Sequence, residues 1–248
     1  MTQKEIAEDI QTAVETLRRG GLILYPTDTI WGIGCDATNE DAVKRVFALK
    51  QRSDSKALIC LVDNANRLPR YIRNMPDVAW DLAEVSETPL TIIYPTGKNL
   101  AKNVLAEDGS VGIRVTNEEF SKALCYAFRK PIISTSANIS GRPTPQNFYE
   151  IEDEIKNGVD YVAEARREED EKKSPSSIIN NTSRLPDEKS LAIITLPSTK
   201  QNNFDGFCSC LKIYSSASYS LSRALEQSSI SSISFSAISR NNLFSFSF

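Results

Sequence analysis

The amino-acid sequence predicts an α/β fold in which a mixed β-sheet is flanked by helices. Two features carry this expectation. Segments with apolar residues at helical spacing alternate with short apolar runs that read as strands. Several links between those strands are too short for a right-handed crossover, so the sheet should be mixed rather than purely parallel. A 248-residue chain with 40% hydrophobic and 25% charged residues has the composition of an ordinary globular protein, and its length suits one large domain or two small ones.

In chain order, Ile6, Ile10, Ala13, Val14 and Leu17 mark an amphipathic helix over residues 3–19, stopped by Gly20 and Gly21. Leu22 to Tyr25 is a buried-strand run ended by Pro26. A second helix is expected from about Asn39 to Lys50, with Asn39 as its cap and Glu40 and Asp41 in its first turn. Ala57 to Val62 reads as a strand, Asp77 to Val85 as a helix, and Pro89 to Pro95 as a strand bracketed by prolines. Then come a strand at Val111 to Val115, a helix at Glu118 to Phe128 and a strand at Ile132 to Thr135. A helix at Phe148 to Lys156 and a strand at Val159 to Ala163 close the series. Residues 150–171 are rich in Glu and Asp and read as a solvated helix face and a mobile loop. From Gln201 serine dominates, so residues 1–198 are read as the folded domain and 199–248 as a Ser-rich low-complexity tail. The alternating Ser/Phe end of that tail is an aggregation-prone pattern.

The chain has no histidine. This excludes Ser-His-Asp and Cys-His nucleophilic pairs, a His general base and every zinc site that needs imidazole. A net charge of −3 does not suit a general nucleic-acid binder, although a local basic patch is compatible with it. Cys35, Cys60, Cys125, Cys208 and Cys210 form an odd, scattered set without a repeated CxxC, which argues for reduced thiols and a cytoplasmic chain. The first 20 residues lack the apolar stretch of a signal peptide, and no run approaches a membrane span.

Four segments carry candidate chemistry. Tyr25 to Gly34 (YPTDTIWGIG) runs from a strand into a hydroxyl-rich turn and then glycines that let backbone approach a ligand; the alternative is a plain Thr/Asp turn. Lys50, Arg52 and Lys56 can clamp a triphosphate, or can simply suit a helix C-terminus and stay solvated. Ser134 to Pro143 (STSANISGRP) offers neutral donors and acceptors for a nucleotide or amino acid, or makes side-chain turns. In Ser110 to Arg114, Arg114 interrupts an apolar strand and needs an anionic partner, either a substrate or a structural carboxylate.

Together with the later SPSSII segment, these motifs stand in the order found in the YrdC-like threonylcarbamoyl-AMP synthases, which the chain resembles over about residues 5–180. The resemblance implies an open, twisted mixed sheet with flanking helices and a concave basic ligand cavity. It implies that L-threonine, bicarbonate and ATP are joined to give L-threonylcarbamoyladenylate and pyrophosphate, for the threonylcarbamoyl modification of adenosine 37 in tRNA. By the same resemblance, Thr29, Arg114, Ser134 and Ser177 hold threonine, with Arg114 on its carboxylate. Arg52, Lys56, Ser110, Ser136, Asn138 and Thr144 contact ATP, and Lys50, Arg52 and Lys56 supply catalytic positive charge. Mg²⁺ accompanies ATP, held by phosphates and water without a dedicated protein site. Implied partners are tRNA and proteins that transfer the threonylcarbamoyl group, with no membrane involved. Asn138 can also serve mainly to fix its turn.

The chain departs from the family pattern at three places. Ser86 to Thr91 stands where a Trp-Pro-Gly-Pro stretch is frequent, Leu61 stands where some members have histidine, and Leu191 to Leu196 lacks the family's Arg-x-Gly. The alternatives to a synthase are an RNA-binding module and an inactive paralogue of the same fold.

Overall fold

A computed structural model describes residues 1–51, 58–75, 79, 80, 82, 83, 86, 88–169, 176–184, 190–195, 211–213, 234–239 and 242–247, with side chains up to residue 178. Helix α1 (Gln3–Arg18) begins with a capping box, in which Thr2 Oγ1 accepts from Glu5 N–H and Glu5 accepts from Thr2 N–H at 2.7 Å. It stops at Gly20, whose φ of +78° is left-handed backbone that glycine adopts without strain. Helix α2 (Glu40–Leu49) starts at Asn39, whose side chain accepts from Asp41 and Ala42 N–H as its sequence position predicts. Helix α3 (Glu119–Phe128) is capped by the Glu118 carboxylate and packs on α1. A short α4 spans Asp153–Gly158.

The strands are β1 (Ile23–Tyr25), β2 (Gly32–Gly34), β3 (Ile59–Val62), β4 (Leu90–Tyr94), β5 (Val111–Val115), β6 (Ile132–Ser136), β7 (Tyr161–Val162), β8 (Ser177–Arg184), β9 (Ser190–Thr195) and β10 (Leu211–Ile213). They form one open sheet in the order β10-β9-β8-β4-β5-β3-β6-β2-β1-β7. Pairs β1–β7, β3–β5 and β4–β8 are parallel and the rest antiparallel, so the mixed sheet expected from the short connections is present. The core is continuous, with Leu24, Tyr25, Ile33, Leu61, Ile92, Ile113 and Ile133 fully enclosed. Residues 215–248 form a separate unit, whose described part is an antiparallel hairpin of β11 (Ser234–Ser239) and β12 (Asn242–Ser247).

Gly32–Gly34 is a strand that no signal in the sequence announces: a Cβ on Gly34 would lie 2.6 Å from Tyr25 Cε1 and 3.0 Å from the Ile133 carbonyl, so packing requires glycine at that position. One sequence expectation needs correction. The helix predicted at Phe148 begins only at Asp153, because Gln146 and Glu150 N–H are taken by the side chains of Glu150 and Asn147. The acidic side chains of residues 150–169 are mostly exposed, as a solvated face requires, and several pair at the surface: Glu152 meets Arg142 at 2.7 Å, Glu164 meets Arg167 at 2.9 Å and Glu169 meets Arg166. The helix predicted over Asp77–Val85 lies largely outside the described residues, positions 79, 80, 82 and 83 being helical.

Asp9 organises the turn after β7. Its carboxylate is 4% exposed and accepts from Tyr161 Oη at 2.7 Å, Glu164 N–H at 2.9 Å and Ala165 N–H at 2.8 Å. Asp9→Ala strips partners from two backbone donors and a phenol, an expected loss of about 2–4 kcal/mol in urea unfolding. A loss below about 0.5 kcal/mol, typical of an ordinary surface change, would show that these bonds contribute little.

Candidate functional site

The connection Pro26–Trp31 leaves β1 and returns as β2, and its hydroxyl chemistry is defined by counting protons. Thr27 has one hydroxyl proton and donates it to the Ile30 carbonyl at 2.7 Å. The 3.2 Å contact between the Thr27 and Thr29 hydroxyls therefore has Thr29 as donor, and Thr29 N–H also donates to Thr27 Oγ1. What Thr29 has left to offer a ligand hydroxyl is its oxygen lone pairs.

Arg114 lies in β5 between Leu61 of β3 and Thr91 of β4. Its guanidinium is 4% exposed, and Nη2 stands 3.0 Å from Asp28 Oδ1, in the same connection as Thr29. Arg114 Nε has no hydrogen-bond partner among the described residues. A buried, unused donor beside a buried ion pair leaves a position for an acceptor. The partner that the sequence demanded for Arg114 thus includes a protein carboxylate, with one donor left over.

A second cluster stands at the end of β6. Lys50 closes α2 and is only 3% exposed, so it is not the solvated terminal cation of the simplest expectation. Its ammonium donates to the Ser136 carbonyl at 2.5 Å and the Asn138 carbonyl at 2.7 Å, while its own carbonyl accepts from Ser140 N–H. Ser136 Oγ donates to Asn138 Oδ1 at 2.5 Å, and Asn138 Nδ2 donates to the Arg142 carbonyl at 2.6 Å. Lys50 and Asn138 therefore hold the shape of the 136–142 turn.

Sheet pairing joins the clusters. Gly32 pairs with Ser136, Ala137 N–H donates to the Trp31 carbonyl at 3.1 Å, and the Ser134 hydroxyl and Thr27 methyl flank Gly32. Thr29, Arg114 and Ser134 thus belong to one neighbourhood and Lys50, Ser136 and Asn138 to the adjoining one. Ser110 precedes β5 at the same end of the sheet as Ser134, since Gly112 and Ser134 both pair with Ile59. Its N–H donates to Asp108 Oδ1, and hydrogen bonds from Ser110 hold the Asp108 carboxyl below the usual range. Thr144 is exposed, in the loop beyond the turn. Arg52 and Lys56 lie outside the described residues.

Ser177 pairs with Leu90, which directs it to the sheet face opposite Thr91 and Arg114. Its neighbour Ser176 bonds the Thr91 hydroxyl at 3.2 Å, on the Arg114 side. The segment was visible in the sequence, but the choice between adjacent serines depends on strand register. Asp28 and Arg166 were also missed. Arg166 donates to the Thr27 carbonyl at 3.3 Å, pairs with Glu118 at 2.9 Å and lines a small cleft with Thr29, Trp31 and Gln146. Its sequence signal was hidden in the acidic run around it.

Cys35, Cys60 and Cys125 are buried thiols, and burial pushes each well above its ordinary range, Cys60 to about 12. They are neutral at pH 7. The neighbourhood therefore offers ion pairing, hydroxyl recognition and an ordered turn, a chemistry of binding and positioning rather than thiol attack.

A family model, Sua5_yciO_yrdC, described as "Telomere recombination", matches residues 15–190. A threonylcarbamoyl-AMP synthase of Pseudoalteromonas translucida is 35% identical over 158 residues, covering 62% of this chain and 84% of the relative. One from Pseudomonas aeruginosa is 39% identical over 153 residues, 61% of this chain and 82% of the relative. Among solved structures, P. abyssi Sua5 complexed with L-threonine superposes with a TM-score of 0.63 at 27% identity, over 70% of this chain and about half (51%) of that one. E. coli YciO superposes with a TM-score of 0.61 at 27% identity, over 70% of this chain and 84% of that one.

Proposed function

The chain belongs to the Sua5/YciO/YrdC family, and from that premise we propose that it is an L-threonylcarbamoyladenylate synthase serving tRNA modification at adenosine 37. The observation that carries this reading is the buried Arg114 guanidinium, with a spare Nε donor, in one neighbourhood with a Thr29 hydroxyl that has only lone pairs to offer. A carboxylate and a hydroxyl on one small molecule meet both demands, and L-threonine has both.

In the proposed reaction the threonine ammonium first releases a proton to solvent; the amine nitrogen then bonds the carbon of bicarbonate, with loss of water, to give a carbamate. A carbamate oxygen then bonds the α-phosphorus of ATP, the α–β phosphoanhydride bond breaks, and pyrophosphate leaves with the electron pair. No histidine base is needed, because the carbamate oxygen is already anionic. The protein's contribution is to align nucleophile and α-phosphorus and to place positive charge where charge develops. Arg114, Thr29 and Ser134 hold threonine in this reading, with Ser176 rather than Ser177 as the nearby hydroxyl from β8. Ser110, Ser136, Thr144, Arg52 and Lys56 face ATP, which brings Mg²⁺ on its phosphates, and Lys50 acts by shaping the turn. The same reading places the enzyme in the cytoplasm; among the described residues no helix is long and apolar enough to cross a membrane.

The test is incubation of the full chain with MgATP, L-threonine and bicarbonate, following pyrophosphate. Release is expected to depend on threonine. Equal release without threonine would overturn the substrate assignment.

A further inference from the structure

Asp28 and Arg114 form a buried ion pair, their side chains 10% and 4% exposed and their nearest charged atoms 3.0 Å apart. A carboxylate ligand arriving alone at Arg114 would compete with Asp28 for one guanidinium and set two carboxylates side by side in a buried site, where like charges repel. A ligand carrying its own cation beside its carboxylate avoids that cost, because the four charges then alternate. An α-amino acid has ammonium and carboxylate on neighbouring atoms, so one molecule can span two side chains that already touch.

We propose that Asp28 is a specificity-determining residue that pairs with the α-ammonium of the amino-acid substrate while Arg114 takes its carboxylate. The inference rests on the threonine reading of this site and adds the group that distinguishes an amino acid from a hydroxy acid. The Asp28–Arg114 pair then serves two states. Without substrate the two ions pair with each other; with substrate each also meets an opposite charge of the ligand.

The experiment compares L-threonine with (R)-3-hydroxybutanoate, which keeps the carboxylate and hydroxyl but lacks the ammonium, by calorimetric titration of the full chain. The wild type is expected to favour threonine at least tenfold. In Asp28→Asn threonine should bind at least tenfold more weakly, while 3-hydroxybutanoate should bind more tightly than to the wild type, because Arg114 has lost its competing carboxylate. Equal weakening of both ligands would reduce Asp28 to a shaper of the loop and overturn the proposal, as would an unchanged preference. Should Asp28→Asn fail to fold, the wild type and Asp28→Glu decide: equal affinity of the wild type for the two ligands overturns the proposal, and a tenfold preference that Asp28→Glu retains supports it. Threonine binding with an unaltered preference in Asp28→Asn sinks the Asp28 role only. No threonine binding by the wild type sinks the substrate reading itself.

Discussion

Arg114→Lys is expected to lower kcat/KM for L-threonine by about 10²–10³, equivalent to roughly 3–4 kcal/mol, while KM for ATP moves by less than about threefold. The magnitude follows from burial and shape. A guanidinium at 4% exposure presents a fixed fork of donors, one Nη on Asp28 at 3.0 Å and Nε still open. Lysine keeps the charge but supplies one compact ammonium, which cannot serve Asp28 and a ligand carboxylate from the same directions. Charge removal is the less informative change, because Arg114→Met takes the guanidinium from a buried carboxylate, a loss of about 3–5 kcal/mol of stability. The double variant Asp28→Asn/Arg114→Met removes both charges and should recover much of that stability without recovering activity. Equal losses in threonine and ATP affinity for Arg114→Lys would assign Arg114 a general structural role and remove the basis for the threonine site.

What the sequence disclosed and what it withheld divide along the range of the interactions involved. The cap at Asn39 and the strand Val111–Val115 depend on residues close in the chain, and they appear where the pattern places them. The strand Gly32–Gly34 was concealed because Gly34 answers to Tyr25 across the β1–β2 pair and to Ile133 in β6, not to a local preference. The helix predicted at Phe148 follows apolar spacing, yet Asn147 and Glu150 offer their side chains to the backbone and win locally.

The site shows the same division. A charged residue in an apolar strand announced that Arg114 needs an anion, and the structure supplies Asp28, 86 positions earlier, through the order of strands in the sheet. The parity that favours Ser176 over Ser177 is likewise a property of register. Residue types at the site were legible; which of two neighbours turns inward was not.

Lys50 was read as a phosphate-facing cation, and its environment leads to a different expectation for its replacement. Lys50→Met keeps the length and apolar stem but deletes an ammonium that serves the carbonyls of Ser136 and Asn138 at 2.5 and 2.7 Å. Those carbonyls then lose a charged donor inside a buried site, at about 1–3 kcal/mol each, so a stability loss of roughly 2–6 kcal/mol is expected. At about 2–4 °C per kcal/mol for a domain of this size, the melting temperature should fall by roughly 4–24 °C. Because the same ammonium shapes the turn that presents Ser136 and Asn138, KM for ATP should rise at least about tenfold even at temperatures where the variant is fully folded. A cation acting only on phosphates predicts the reverse pattern: lost ATP affinity with an unchanged or raised melting temperature, since removing an uncompensated charge from the fold relieves strain. Thermal unfolding and ATP titration of Lys50→Met, measured together, separate the two roles.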